Sequence, residues 1–295
     1  MISCSDCPRL CGAERIGHSG AGFCRSGLLP RAARAAPHFG EEPCISGIRG
    51  SGTVFFSGCN LRCVFCQNAQ ISSGGLGQTL SIPQLADIFR RLEDSGVHNI
   101  SLVTASHFVR SVVKALELAK PRIPVIWNSS GYDSLDSLKV LNGHIQIYMP
   151  DLKYLDSALS AKYSSAADYP QTALAAINEM YNQVGAYRLD DNGIMQSGVL
   201  IRHLVLPSCI ENTLDVIDAV SERFSNNTVL FSLMSQYTPI GDLEKYPELQ
   251  RTLTSEEYNR VESYLDLSPI ENGYLQSLES ATDELIPPFN SLFFI

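Results

Sequence analysis

The chain has 295 residues, 44% of them apolar, and its 31 Asp and Glu outnumber 22 Lys and Arg to give a formal charge of −9. That acidic balance argues against a nucleic-acid partner, which needs a basic face. No run approaches the roughly 18 uninterrupted apolar residues of a membrane span. Cys4, Asp6 and Cys7 come too early for the apolar core of a secretory signal. Eight of the nine cysteines lie within the first 66 residues, which fits metal ligation in a reducing cytoplasm better than disulfides. We therefore expect a cytoplasmic protein without nucleic-acid or membrane partners.

Three stretches are expected: residues 1–48, a cysteine-rich metal-binding segment; 49–238, the catalytic α/β body; and 239–295, a helix and tail packed on it. In the first, Cys4, Cys7, Cys11 and Cys24 stand at C-x2-C-x3-C-x12-C spacing among glycines. Such a segment buries little apolar area and needs a metal to become ordered. Four thiolates suit either tetrahedral zinc or a second iron–sulfur cluster, and unmetallated thiols are the plainer alternative. Cys44 reads as a small buried side chain. Residues 1–62 carry seven Arg against four acids, so the N-terminal part is basic and the remainder acidic. That bias suits an anionic group or an acidic electron donor, and equally an ordinary solvated surface.

The run Thr53–Phe56 reads as a buried strand, ended by Gly58, and Cys59, Cys63 and Cys66 follow at C-x3-C-x2-C spacing. Three thiols within eight positions can close around one metal centre, and four would saturate an iron–sulfur cube. Three leave one iron open to an exogenous ligand, so an open metal at a strand end implies chemistry.

Strand-like and helix-like segments then alternate. A capping box, Ser81 with Gln84, opens a helix with Ile82, Leu85, Phe89 and Leu92 on one face. Strands are expected over 99–104, 124–128, 145–149, 198–206 and 228–233. The helices between them carry Val109, Val112, Val113 and Leu116; Leu135, Leu138 and Leu141; Leu174, Ile177 and Tyr181; and Leu214, Ile217, Val220 and Phe224. Thr254 and Glu257 cap one more helix, and the apolar tail from Ile286 to Ile295 is expected to pack on the body or on a partner. Six β/α units predict a parallel sheet curled into a partial (β/α)6 barrel with function at the strands' carboxyl ends.

C-x3-C-x-aromatic-C, with Phe65 as the aromatic, is the signature of the radical S-adenosylmethionine (SAM) superfamily, and the chain resembles its branch related to pyruvate formate-lyase activating enzyme. That resemblance runs through the segments 42–47, 50–58, 128–132, 150–154 and 202–207, nearly the whole chain. It implies a partial (β/α)6 barrel in which Cys59, Cys63 and Cys66 hold a [4Fe-4S] cluster whose fourth iron binds the amino and carboxylate groups of SAM. Reductive cleavage of SAM then gives a 5′-deoxyadenosyl radical that abstracts hydrogen. Such relatives often carry N-terminal cysteines resembling Cys4, Cys7, Cys11 and Cys24.

Strand ends supply the remaining site residues. Phe65 and Asn68 flank the cysteines. Thr104 and Ser106 stand where most relatives place a Gly-Gly-Glu-like turn for the SAM amino group, and His107 reads as a helix N-terminal residue. Asn128, Ser129 and Ser130 replace a turn that carries a charged group in the activating enzymes. Asp151 and Lys153, matching that family's Asp-x-Lys element, share one face of their strand at i and i+2. A structural ion pair is the alternative for those two. Of the neighbours Arg202 and His203, only one can face the interior. Gln236 and Tyr237 are weaker candidates, and Cys209 reads as an incidental loop thiol rather than a hydrogen donor.

The resemblance points to an activase of a glycyl radical enzyme, supplied with electrons by a flavodoxin or ferredoxin. The ferredoxin-like insert of the larger activases is absent, since a short loop joins Asn68 to Ser81; the smallest activases lack it too. The alternatives are a radical SAM enzyme that modifies a small molecule or peptide, and a non-catalytic iron–sulfur scaffold.

Overall fold

The computed structural model describes residues 2–280, 289 and 293–294. The N-terminus is a small antiparallel meander of Ile2–Ser3, Glu14–Ile16 and Ser19–Gly20. It is bound to the body by ions and backbone rather than by a core. Buried Arg15 pairs with Asp6 at 3.1 Å and donates to the carbonyl of Ser26 at 3.0 Å. Asp6 also takes Arg110 at 3.1 Å.

Strands β1 (Arg31–His38), β2 (Ser51–Phe56), β3 (Ile100–Val103), β4 (Val125–Ser129), β5 (Ile147–Pro150), β6 (Met195–Leu204), β7 (Leu230–Met234) and β8 (Gly273–Leu275) form one open sheet. They lie side by side in chain order, with β1 antiparallel to β2 and every later neighbour parallel. The crossovers carry α1 (Ile82–Asp94), α2 (Val109–Ala119), α3 (Leu135–Leu141), α4 (Ser157–Ser164), α5 (Tyr169–Val184), α6 (Ile210–Arg223) and α7 (Ser255–Leu267). Every residue of β2, β3, β4, β5 and β7 is buried, as expected of parallel strands covered on both faces. Leu85, Phe89 and Leu92 of α1 are fully buried, and both capping boxes form.

Two features depart from the sequence reading. Arg31–His38, inside the segment expected to need a metal to become ordered, is a full strand of the sheet. Its burial runs in threes rather than twos because the register slips between Ala32 and Arg34, which hides the alternation that marks a strand. Gly273–Leu275 adds a strand beyond the six expected. It is too short and too exposed to carry a pattern. Of the C-terminal tail, Phe289 is buried edge-on against Phe55 at 5.6 Å, and Phe293–Phe294 pair with β1. The rest of the tail lies outside the described residues.

Candidate active site at the carboxyl ends of the strands

After β2 the chain turns at Gly58 (φ 85°), where a side chain would run into Ser26 Oγ and the Cys24 carbonyl. The loop that follows has no regular structure and is fixed from outside. Val64 N–H donates to the Tyr163 carbonyl at 2.9 Å, Asn60 Nδ2 to the Tyr132 carbonyl at 2.6 Å, and Arg9 Nε to the Asn60 carbonyl at 2.8 Å. Each core sulfur has a polar neighbour. Leu61 N–H points to Cys59 Sγ at 3.3 Å, Ser164 Oγ lies 3.0 Å from Cys63 Sγ, and Ser72 Oγ lies 3.3 Å from Cys66 Sγ. Burial pushes the thiols of Cys59 and Cys63 up, so a metal must displace their protons to bind.

Cys59, Cys63 and Cys66 line a cavity of about 230 Å³ together with Phe65, Asn68, Thr104, Asn128, Ser130, Asp151, Lys153 and Arg202. The register explains the convergence. Ser129 pairs with Pro150, and the next residue, Asp151, bridges to Arg202, so the two side chains stand abreast at the strand ends. Lys153 Nζ reaches Asp151 Oδ2 at 2.6 Å, while Arg202 Nη2 lies 3.1 Å from Oδ1. Burial raises the Asp151 carboxyl, but Lys153 and Arg202 outweigh it and hold the group below the usual carboxylate value.

Tyr169 braces the turn beneath. Its hydroxyl lies 2.8 Å from the carbonyls of Ser130 and Asp151 and accepts from Lys153 N–H at 2.9 Å. Gly131 (φ 73°) lets the backbone pass against the Asp151 carbonyl, where a Cβ would collide.

One carboxylate of the cavity escapes the sequence reading. Glu41, just ahead of the recognisable segment that begins at Glu42, places Oε2 2.8 Å from Arg202 Nη1 and takes Asn128 Nδ2 on Oε1 at 3.2 Å. Arg202 Nη2 also donates to Asn128 Oδ1 at 2.8 Å. Burial pushes Glu41 up to about 7 even against the pull of Arg202. No local pattern marks it, because its partner is 161 positions away.

Other expected residues fall elsewhere. Ser106 does not line the cavity; it is buried and bonded to Asp133. Thr104, two residues earlier, reaches the cavity wall. Thr104 has φ 59°, a left-handed conformation that strains a β-branched residue. His107 lies in the middle of the short helical turn 106–108, with Nε2–H donating to the Ser57 carbonyl at 2.9 Å. His203 faces away from Arg202, clamped between the Leu152 carbonyl at 2.6 Å and Thr213 Oγ1 at 3.0 Å, and burial lowers it to about 4. Gln236 lines the cavity, and Tyr237 packs edge-on against Phe65 at 6.1 Å. Cys209 is buried beside Tyr163 and is not on the cavity wall.

At the N-terminus Cys4 and Cys7 are buried, Cys24 is half-buried and Cys11 is exposed. Burial above all, with smaller contributions from Cys24, Cys4 and Cys11, pushes the Cys7 thiol up to about 12. Among the described residues no group of three or more His, Cys, Asp or Glu side chains is arranged to hold a metal ion. An iron–sulfur cube takes its thiolates at separate corners rather than around one ion. Three soft sulfurs on one cavity wall, each beside a hydrogen-bonding group, fit that larger group on the chemistry of the donor set.

Residues 53–183 match the family model of the radical SAM superfamily. The matched stretch spans the cysteine loop and the strand ends through Lys153. An uncharacterized protein of Methanocaldococcus jannaschii is 30% identical over 241 residues, or 78% of this chain and 64% of the relative. SuiB of Streptococcus suis, bound to S-adenosylmethionine, shares the fold with TM-score 0.51 and 16% identity over 76% of this chain and 49% of SuiB. SuiB bound to its precursor peptide SuiA gives TM-score 0.50 at 17% identity, with 76% and 48% covered. The chain thus spans less than two thirds of the archaeal relative and about half of SuiB.

No helix among the described residues is long and apolar enough to cross a membrane.

Proposed function

We propose that this chain is a radical SAM enzyme of a reducing compartment such as the cytoplasm, with Cys59, Cys63 and Cys66 holding a [4Fe-4S] cluster. The observation that carries this reading is the opening of those three thiols onto the same cavity as Asp151, Lys153 and Arg202. When bound, the cluster supplies one electron to the sulfonium of SAM, whose C–S bond breaks to methionine and a 5′-deoxyadenosyl radical. The protein's part is placement. Lys153 and Arg202, fixed by Asp151, offer cations to the methionine carboxylate, and Asn128 and Ser130 offer neutral groups to the ribose. Phe55, Val103, Leu204 and Met234 give the cavity apolar walls that protect a radical from water. The likeness to SuiB, which binds SAM, is one of fold and is consistent with this reading.

The test is direct. Protein reconstituted with iron and sulfide under anaerobic conditions, then given dithionite and SAM, releases 5′-deoxyadenosine. Cys63→Ala abolishes that release while circular dichroism keeps the wild-type spectrum. Cleavage that survives Cys63→Ala would falsify the assignment, and a scaffold would release nothing even as wild type.

For the substrate, the family resemblance favours the backbone glycine of a glycyl radical enzyme. Incubation with such a partner then produces a glycyl doublet in electron paramagnetic resonance. A small molecule or peptide is the second reading, supported by a balanced cavity in which Glu41 and Asp151 face Lys153 and Arg202. For the N-terminal thiols we keep zinc and a second cluster as alternatives, separated by iron and zinc analysis of the anaerobic protein.

A further inference from the structure

The cysteine loop and the end of α4 are joined from outside by one side chain of the N-terminal segment. Cys7-Pro8-Arg9-Leu10 is a turn closed by Leu10 N–H on the Cys7 carbonyl at 3.0 Å, and Pro8 at its second position presets the backbone that carries Arg9. All three guanidinium nitrogens of Arg9 are used. Nε donates to the Asn60 carbonyl at 2.8 Å, Nη2 to the Ser164 carbonyl at 3.3 Å and Nη1 to the Ser165 carbonyl. The last two carbonyls close α4, where the helix itself supplies no donor and its dipole favours a cation. The guanidinium carbon also lies 4.0 Å from the Phe23 ring centroid and 5.2 Å from that of Tyr132, so aromatic rings hold the faces of the group while carbonyls hold its edges. Both segments that Arg9 joins adjoin a core sulfur. Asn60 follows Cys59 directly, and Ser164 Oγ lies 3.0 Å from Cys63 Sγ.

We propose that Arg9 is a positioning residue for the cysteine loop: it latches the loop to the end of α4 and so keeps the Ser164 hydroxyl on the Cys63 sulfur. Arg9 does not line the cavity and acts through the carbonyls it holds. The residue type follows from the geometry. Three carbonyls on two segments, 51 and 155–156 positions away, need donors fixed in one plane, which a guanidinium has and an ammonium lacks. Carbonyls leave the positive charge intact, and it complements the thiolates that metal binding requires. The N-terminal segment thereby acts on the site without contributing a ligand to it. The latch rests on these contacts alone; its effect on a cluster rests on the assignment of Cys59, Cys63 and Cys66 as cluster ligands.

Two measurements separate the latch from its effect. In metal-free protein, hydrogen exchange read by mass spectrometry follows the loop peptide, residues 60–66, whose Arg62 and Val64 N–H groups bond to the Ser164 and Tyr163 carbonyls. Arg9→Gln speeds exchange there about tenfold or more and leaves β3 and β5 unchanged. Arg9→Lys, which keeps the charge and loses the planar fork, protects the loop only in part. Arg25→Gln, which removes an exposed cation from the cavity wall beside Cys59, leaves the loop at the wild-type rate. In anaerobically reconstituted protein, the midpoint in a potentiometric titration moves to more negative potential in Arg9→Gln, as in Ser164→Ala, and the double variant moves no further than the larger single change. A residue that only adds stability would shift the unfolding transition without that non-additivity. Wild-type exchange of the loop in Arg9→Gln or in Arg9→Lys overturns the latch, and additive midpoint shifts overturn its action through Ser164. If the three cysteines hold no cluster, the reconstituted protein shows no charge-transfer absorbance, and the exchange measurement still decides the latch.

Discussion

Arg202 is the side chain on which the cavity's charges depend. It contacts Glu41, Asp151 and Asn128 at 2.8–3.1 Å with only 14% of its side chain exposed. By contrast Lys139 and Asp136, at 67% and 90% exposure, gain almost nothing from their 3.3 Å approach. Arg202→Ala leaves two buried carboxylates with one cation between them and costs about 3–5 kcal/mol, read by chemical denaturation. Arg202→Lys recovers only part of that, because an ammonium cannot hold three partners in one plane. A second prediction concerns the sulfurs. Tyr154 Oη lies 2.9 Å from Ser164 Oγ, which lies 3.0 Å from Cys63 Sγ, and both residues are fully buried. A thiolate can only accept, so Ser164 donates to sulfur and Tyr154 to Ser164. Ser164→Ala should shift the midpoint of the proposed cluster to more negative potential in a potentiometric titration, and Ser164→Thr should restore it. An unchanged midpoint would remove the hydroxyl from the cluster's surroundings.

Among the elements, α7 shows how a local signal becomes tertiary. Thr254 and Glu257 form the capping box, and Glu257 also accepts from Ser208 N–H at 2.8 Å and from Arg251 at 2.7 Å. Arg251 chiefly, against a smaller cost of burial, depresses Glu257 to about 2. A carboxyl lowered on folding stabilises the fold above its unfolded value and loses that contribution as pH falls from about 4.5 toward 2. Glu257→Gln should flatten the stability profile within that window, and Thr254→Ala should cost about 1 kcal/mol at neutral pH. The capping boxes and helix faces were legible because they need only three or four consecutive turns of sequence. The strand Arg31–His38 was not, since Ala and Arg favour helices and the slipped register removes the alternation.

For the molecule as a whole, the order of the strands was legible from the β/α alternation, and the convergence of Asp151, Lys153 and Arg202 followed from their places at strand ends. Glu41 was not, because it is brought to the strand ends from far away in the chain. Sequence spacing can report neighbours on one element; it carries no trace of a partner 161 residues off.

The strands stack in the order in which they are synthesised. A nascent chain therefore completes the cysteine loop, by Asn68, long before Tyr163 and Ser164 are made. Until α4 is made, Val64 N–H lacks the Tyr163 carbonyl and Cys63 Sγ lacks the Ser164 hydroxyl, so the loop takes its final shape only when chain about a hundred residues later arrives.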